Sequence, residues 1–312
     1  MTDKLNQGRK PAKPIIASVS TIKPVFRTAV TIIPMLCIAL FSASSYSQTK
    51  QTKGSFEDVF RQLDEILPTP NTYRTASGAP GNDYWQQQAD YVIDATLDED
   101  NKRISASERI TYSNNSPDTL SFIWIQLDQN RFRKDSIGQT TGSTGSDRIS
   151  FASMRLEQHT AERQYGFEIQ RVALRNGTAL DYTINDTMMR IDLESPLRNG
   201  QSVTFDIDWE HNIVFQEVTG GRGGYEHFPD TDTYQFALSQ WYPRVAAYTD
   251  YNGWVNKQFI GRGEFTLEFG DFDVSLTVPA DHIVASTGVL QNPAQVLTTE
   301  QRERLDQARE SD

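Results

Sequence analysis

Residues 89–112 read ADYVIDATLDEDNKRISASERITY, and their period decides the fold. Ala89, Tyr91, Ile93, Ala95 and Leu97 alternate with polar partners, and Ile104, Ala106, Glu108, Ile110 and Tyr112 then do the same. Successive side chains of a strand point to opposite faces, so each run lays one stripe on one face of a sheet. The acidic turn at 98–101 folds the second strand back antiparallel to the first.

Working outward, the turn NNSPD at 114–118 leads into LSFIWIQLD, a more continuously apolar run. Trp124 between Ile123 and Ile125 predicts a strand covered on both faces. Short strands follow at 167–174, 179–184, 188–193 and 202–211, joined by turns at Asn176-Gly177, Asn185-Asp186 and 198–200. Hairpins in series make a sandwich or a curved open sheet. Helices do not alternate with strands, which excludes a doubly wound parallel sheet. The fold class read from these patterns is all-β, a mostly antiparallel sandwich or saddle-shaped sheet with a short N-terminal helix. That helix is SFEDVFRQLDEIL at 55–67, where Phe56, Val59, Phe60, Leu63, Ile66 and Leu67 share a helical spacing and Pro68 ends it.

The beginning of the chain has a different character. Lys4, Arg9, Lys10, Lys13, Lys23 and Arg27 stand against one acid, Asp3, and the apolar run AVTIIPMLCIALFSA follows at 29–43. This is the basic then apolar order of a secretory signal, with small residues near Ser45 and Ser47 for cleavage, so residues 1–47 read as a leader. The run is short for a membrane span and Pro34 sits in its middle. An uncleaved anchor is the other reading. Cys37 is the single cysteine and lies within the leader, so the exported chain would have no disulfide. The whole chain holds 30 basic and 41 acidic residues; six and one of them lie in the leader, leaving 24 against 40, a net charge of −16. Such an acidic chain argues against nucleic acid as a partner. Residues 48–83 read as a linker carrying the short helix, and 84–290 as the β domain. Residues 291–312 end in TTEQRERLDQARESD, a charged helix with almost no apolar face, expected to lead toward a further domain.

The densest aromatic stretch is FALSQWYPRVAAYTDYNGWVNKQFIGRG at 236–263. Its rings fit either a ligand cleft or a sandwich core. At Ser239-Gln240, at Arg244 and over EFTLEFGDFDVSLTVPADHIVASTG at 264–288, the chain resembles the N-terminal domain of the zinc aminopeptidases of peptidase family M1, the group that includes aminopeptidase N. The resemblance spans about residues 84–290 and rests on several segments in order. It implies a domain that caps the cleft of an exported enzyme removing N-terminal residues from peptides. The partners implied are the peptide substrate and the enzyme's own catalytic domain.

By the same resemblance zinc belongs to the full-length enzyme and not to this chain. The zinc site of such enzymes needs H-E-x-x-H on a helix, and His159, His211, His227 and His282 do not form that pattern. No cofactor and no catalytic residue is therefore expected here, and the chain alone should be inert. Glu226-His227 with Glu217 and His211 falls short of a ligand set. GGRGG at 220–224 reads as a loop, since no Lys-Ser/Thr follows it. The resemblance matches Gln240 to a Gln that borders the peptide end of the active site, and a side-chain amide can both donate to and accept from a peptide. Gln240 is thus the expected substrate-binding residue, unless it only pins its loop. Where the family often has Gln or Glu two residues later, this chain has Tyr242. The alternative from a different class is a stand-alone β-sandwich module that binds peptide or carbohydrate through its aromatic face.

Overall fold

A computed structural model describes residues 13–19, 70–141, 150, 151, 154, 155, 158, 163–216, 222–261, 263 and 265–311. The helix expected at 55–67 lies outside them. The chain divides into two compact units, one of residues 1–21 with 85–312 and one of residues 22–84. In the second unit, Arg74 and Pro80 form an isolated bridge, and the Arg74 guanidinium lies 5.3 Å from the centre of the Tyr84 ring.

The described strands are β1 (Lys13–Val19), β2 (Gln88–Asp98), β3 (Arg103–Asn114), β4 (Leu120–Gln126), β5 (Glu168–Leu174), β6 (Tyr182–Asn185), β7 (Met188–Leu197), β8 (Gln201–Asn212), β9 (Gly224–Phe228), β10 (Thr233–Ala237), β11 (Arg244–Val245), β12 (Tyr248–Thr249), β13 (Gly253–Trp254), β14 (Phe272–Val278) and β15 (Val289–Leu290). A seven-stranded sheet runs in the order β15-β1-β14-β2-β3-β8-β5, and a four-stranded sheet in the order β11-β4-β7-β6. The pairs β2/β3 and β3/β8 are antiparallel over their whole lengths, whereas β14 joins β2 in parallel. The all-β, mostly antiparallel sandwich expected from the sequence is the fold observed.

The apolar stripes of the two sheets face one another. Tyr91, Ile93, Ile110, Tyr112, Phe205 and Ile207 from the large sheet share one buried core with Ile123, Ile125, Met189 and Ile191 from the small one. Full burial of such a side chain is worth about 1.5–3 kcal/mol. Glu108 lies on the same stripe and is 1% exposed. Burial pushes its carboxyl well above the usual range; Trp209 favours the charged form, yet neither Glu108 oxygen has a hydrogen bond of normal geometry.

Three expectations change. β4 is not covered equally on both faces: Ile123 and Ile125 are buried, but Phe122 and Trp124 are half-buried on the other side, with the Arg190 guanidinium 4.1 Å from the Phe122 ring centre. The hairpin β9/β10, which the sequence reading passed over, pairs Tyr225 with Phe236 and His227 with Tyr234. Its strands carry exposed polar residues among their aromatics, which masks the alternation. Gly224, expected in a loop, opens β9 at φ 140°, where a Cβ would stand 2.6 Å from the Val214 carbonyl oxygen.

Residues 13–19, within the stretch read as a leader, form β1 between β14 and β15, with Lys13 opposite Val278 and Val19 opposite Phe272. At the other end, Thr299–Glu310 is helical and starts at a capping box between Thr298 and Gln301; none of its residues is buried.

Candidate functional site

β4 runs directly into a 3-10 turn, Asp128–Phe132. The turn is fixed from beneath by Asn130, whose Nδ2 donates to the Asp186 carbonyl at 2.7 Å while its Oδ1 accepts from the Phe167 N–H at 2.7 Å. Asp128 points inward to Arg244 of β11, with Nη2 to Oδ2 at 2.5 Å and Nε to Oδ2 at 3.1 Å. Arg244 Nη2 also donates to Gln126 Oε1 at 3.1 Å. Burial raises the Asp128 carboxyl above its ordinary value, and Arg244 pulls it the other way. This pair ties the aromatic stretch to the end of β4.

The same turn presents Gln129 and Arg131 outward to a pocket of about 280 Å³, closed on its other sides by residues 238–241, Phe259, Gly261 and the start of β9. Gln129 Nε2 donates to the carbonyls of both Ser239 and Gln240, at 3.1 Å each. Gln240 sits at φ 53°, a left-handed conformation that a residue other than glycine seldom adopts outside a turn or a strained functional site. The Gln240 side chain lines the pocket without a hydrogen bond to any described residue. Among the described residues it is Gln129 that ties this loop, through the two carbonyls.

His211 forms part of the pocket floor and is 1% exposed. Its Nε2 stands 3.1 Å from the Trp241 carbonyl and its Nδ1 3.2 Å from that of Asn212, while the ring stacks on Trp209 with centroids 5.8 Å apart. Burial pushes its pKa down to about 4 against the two carbonyls, which favour the cation. The neutral ring carries one proton, so one of the two nitrogens faces a carbonyl without donating to it. A histidine so enclosed has no nitrogen to offer a metal.

Arg131 is half-buried, with its guanidinium 4.7 Å from the Phe132 ring centre and 5.3 Å from that of Phe259. Burial lowers its pKa and the nearby Asp128 raises it. Gly261 approaches the guanidinium so closely that a Cβ there would lie 2.6 Å from Arg131 Nη2.

Gln240 lines this pocket together with Gln129 and Arg131, which lie over 100 residues earlier in the sequence. The run NRFRKD at 130–135, two arginines about a phenylalanine directly after a strand, was the available signal. Tyr242 packs away from the pocket: its ring meets Tyr91 at 5.6 Å and Trp241 at 5.3 Å, and burial pushes its hydroxyl up to about 12. Most rings of the stretch are likewise core. Tyr248 and Phe259 are 7% and 6% exposed, and Trp254 packs on Tyr112 and Tyr248 at 5.9 and 5.1 Å. Tyr251 is 56% exposed, and Trp241 and Phe259 also line the pocket.

Among the described residues, no group of three or more His, Cys, Asp or Glu is placed to hold a metal. His227 bonds Asp232 at 3.0 Å and stacks on Tyr234, and His282 lies 3.3 Å from Asp281; His159 and Glu217 lie outside the described residues.

No family model matches the chain, and no curated protein matches it. Similar solved structures include a two-domain M1 zinc metallopeptidase mutant bound to L-arginine, at 14% identity and TM-score 0.35, over 65% of this chain and 35% of that one. Also similar is the M1 zinc metallopeptidase from Deinococcus radiodurans, at 14% identity and TM-score 0.35, over 67% of this chain and 36% of its own. A mutant of the Deinococcus radiodurans enzyme bound to a Tyr-Ser-Ala substrate matches at 14% identity and TM-score 0.34, over 68% of this chain and 37% of that one. The chain spans about a third of the length of these structures.

Proposed function

We propose that this chain is the cleft-capping N-terminal domain of an exported, M1-type zinc aminopeptidase, and that Gln240 positions the peptide. The observation that carries the proposal is the state of Gln240. Its backbone sits at φ 53° with its carbonyl held by Gln129, and its side-chain amide lines a cavity without a hydrogen bond to any described residue. Supporting it, the segments that resemble the family follow one another in the family's order, and Gln129, Ser239 and Gln240 among them line this pocket.

In this reading zinc and the glutamate that activates water reside in a further domain. The residues here hold and exclude: Gln240 donates to a peptide carbonyl or accepts from an N–H, and Trp241 and Phe259 wall the cavity against solvent. The basic then apolar order of residues 1–47 supports export, and since residues 13–19 form β1 the uncleaved anchor is the version that keeps that strand.

The test is hydrolysis of alanine p-nitroanilide. This chain alone is expected to be inert, and the same chain extended by its downstream reading frame is expected to cleave the reporter and to lose activity on zinc removal. A downstream frame without H-E-x-x-H, or an extended protein that is inert with zinc present, would overturn the proposal.

A further inference from the structure

The pocket has an electrostatic character opposite to that of the chain. The full sequence carries a net charge of −11, yet among the described residues those lining the cavity include Arg131 and Arg222 and no aspartate or glutamate. The one carboxylate that acts on Arg131, Asp128, is engaged by Arg244 at 2.5 Å. No described carboxylate lies within ion-pair distance of the Arg131 guanidinium, which is held between Phe132 and Phe259 instead of reaching into water. A half-buried guanidinium attracts an anion more strongly than one fully in water, because the surrounding dielectric is lower.

We infer that Arg131 is the anchor of an anion subsite in this pocket, and that its ligand is a carboxylate of a peptide. A planar guanidinium offers two parallel N–H donors that match the two oxygens of a carboxylate. The single charge of the Arg131 guanidinium matches the single charge of a carboxylate better than the near-double charge of a phosphate. Gln240, which lines the same pocket, supplies the donor and acceptor for the adjoining amide. The inference names the substrate class of the pocket described above and rests on the peptide-binding reading, but it needs neither zinc nor turnover.

The experiment is calorimetric titration of the full chain with acetyl-Ala-Glu-Ala-amide and with its Gln isostere, which differ only in the charge. The acidic peptide is expected to bind about tenfold more tightly, the size of one charge-assisted contact. Arg131→Gln should reduce that preference to less than about twofold, and Arg131→Lys should keep part of it, because the charge survives without the fork. Inorganic phosphate should compete weakly. Equal binding of the two peptides, binding of neither, a preference that survives in Arg131→Gln, or tighter binding of phosphate would each overturn the assignment. Should Arg131→Gln not fold, the charge-preserving Arg131→Lys decides alone: full tenfold preference in it contradicts the bidentate contact. Loss of reporter hydrolysis in the extended enzyme with carboxylate preference intact would sink the peptidase reading and leave the subsite standing.

Discussion

Two parts of the stretch 236–263 lie a few residues apart and are used in opposite ways. Residues 242–254 send three of their four rings into the sandwich, where Tyr242, Tyr248 and Trp254 pack on Tyr91, Trp85 and Tyr112, while Tyr251 is exposed. Residues 238–241, with Phe259 and Gly261, turn toward a cavity and leave the Gln240 amide without a hydrogen bond to any described residue. The dividing point is Arg244, whose pairing with Asp128 locks one part into the core and thereby fixes the other at its edge. The difference teaches that ring density marks the support of this site and not the site itself.

The largest expected effect breaks that lock. Arg244→Met would leave Asp128 buried without its partner, which typically costs about 3–5 kcal/mol, read as a fall in the midpoint of urea unfolding. An unchanged midpoint would mean that the pair anchors nothing.

Next comes the pH dependence of stability, where two groups act in opposite directions. His211 is depressed to about 4 from an ordinary 6.5, so the unfolded chain takes up the proton first. Its stabilisation is present above about pH 6.5 and is lost as pH falls toward 4, by ~3 kcal/mol. Glu268, whose Oε1 accepts from the Tyr248 N–H at 2.7 Å, is raised by burial to about 7. Its contribution runs the other way, present in acid and lost as pH rises from the ordinary carboxyl range through 7. Unfolding followed from pH 4 to 8 should therefore steepen its loss toward neutral pH in His211→Gln and flatten that loss in Glu268→Gln. The same profile in all three proteins would contradict both assignments.

A smaller effect separates the two walls of the pocket. Gln129→Ala frees the carbonyls of Ser239 and Gln240 and should cost about 1–2 kcal/mol of stability. In the extended enzyme it should also raise KM, because Gln240 loses its hold. Stability lost with unchanged kinetics would make Gln129 a structural strut alone.

The framework was legible because alternation is local. The stripes at 89–97 and 104–112 placed even Glu108 on the face that the structure buries. The β9/β10 hairpin was not legible, since Glu226, His227 and Gln235 interrupt its apolar pattern. Gln240 could be singled out through its neighbours Ser239 and Arg244. Its setting could not: Gln129 and Arg131 reach the pocket only because β4 pairs with β11, a contact between residues far apart in sequence. The parallel joining of β14 to β2 and the placement of β1 at its other edge are long-range in the same sense.

The central claim is that Gln240 serves the ligand and not the fold, and kinetics and thermal unfolding of Gln240→Ala, measured on one preparation of the extended enzyme, test it most directly. The account predicts kcat/KM lower by roughly 5- to 150-fold, about 1–3 kcal/mol, with the unfolding midpoint unchanged. A lowered midpoint beside unchanged kcat/KM of the folded fraction would contradict it.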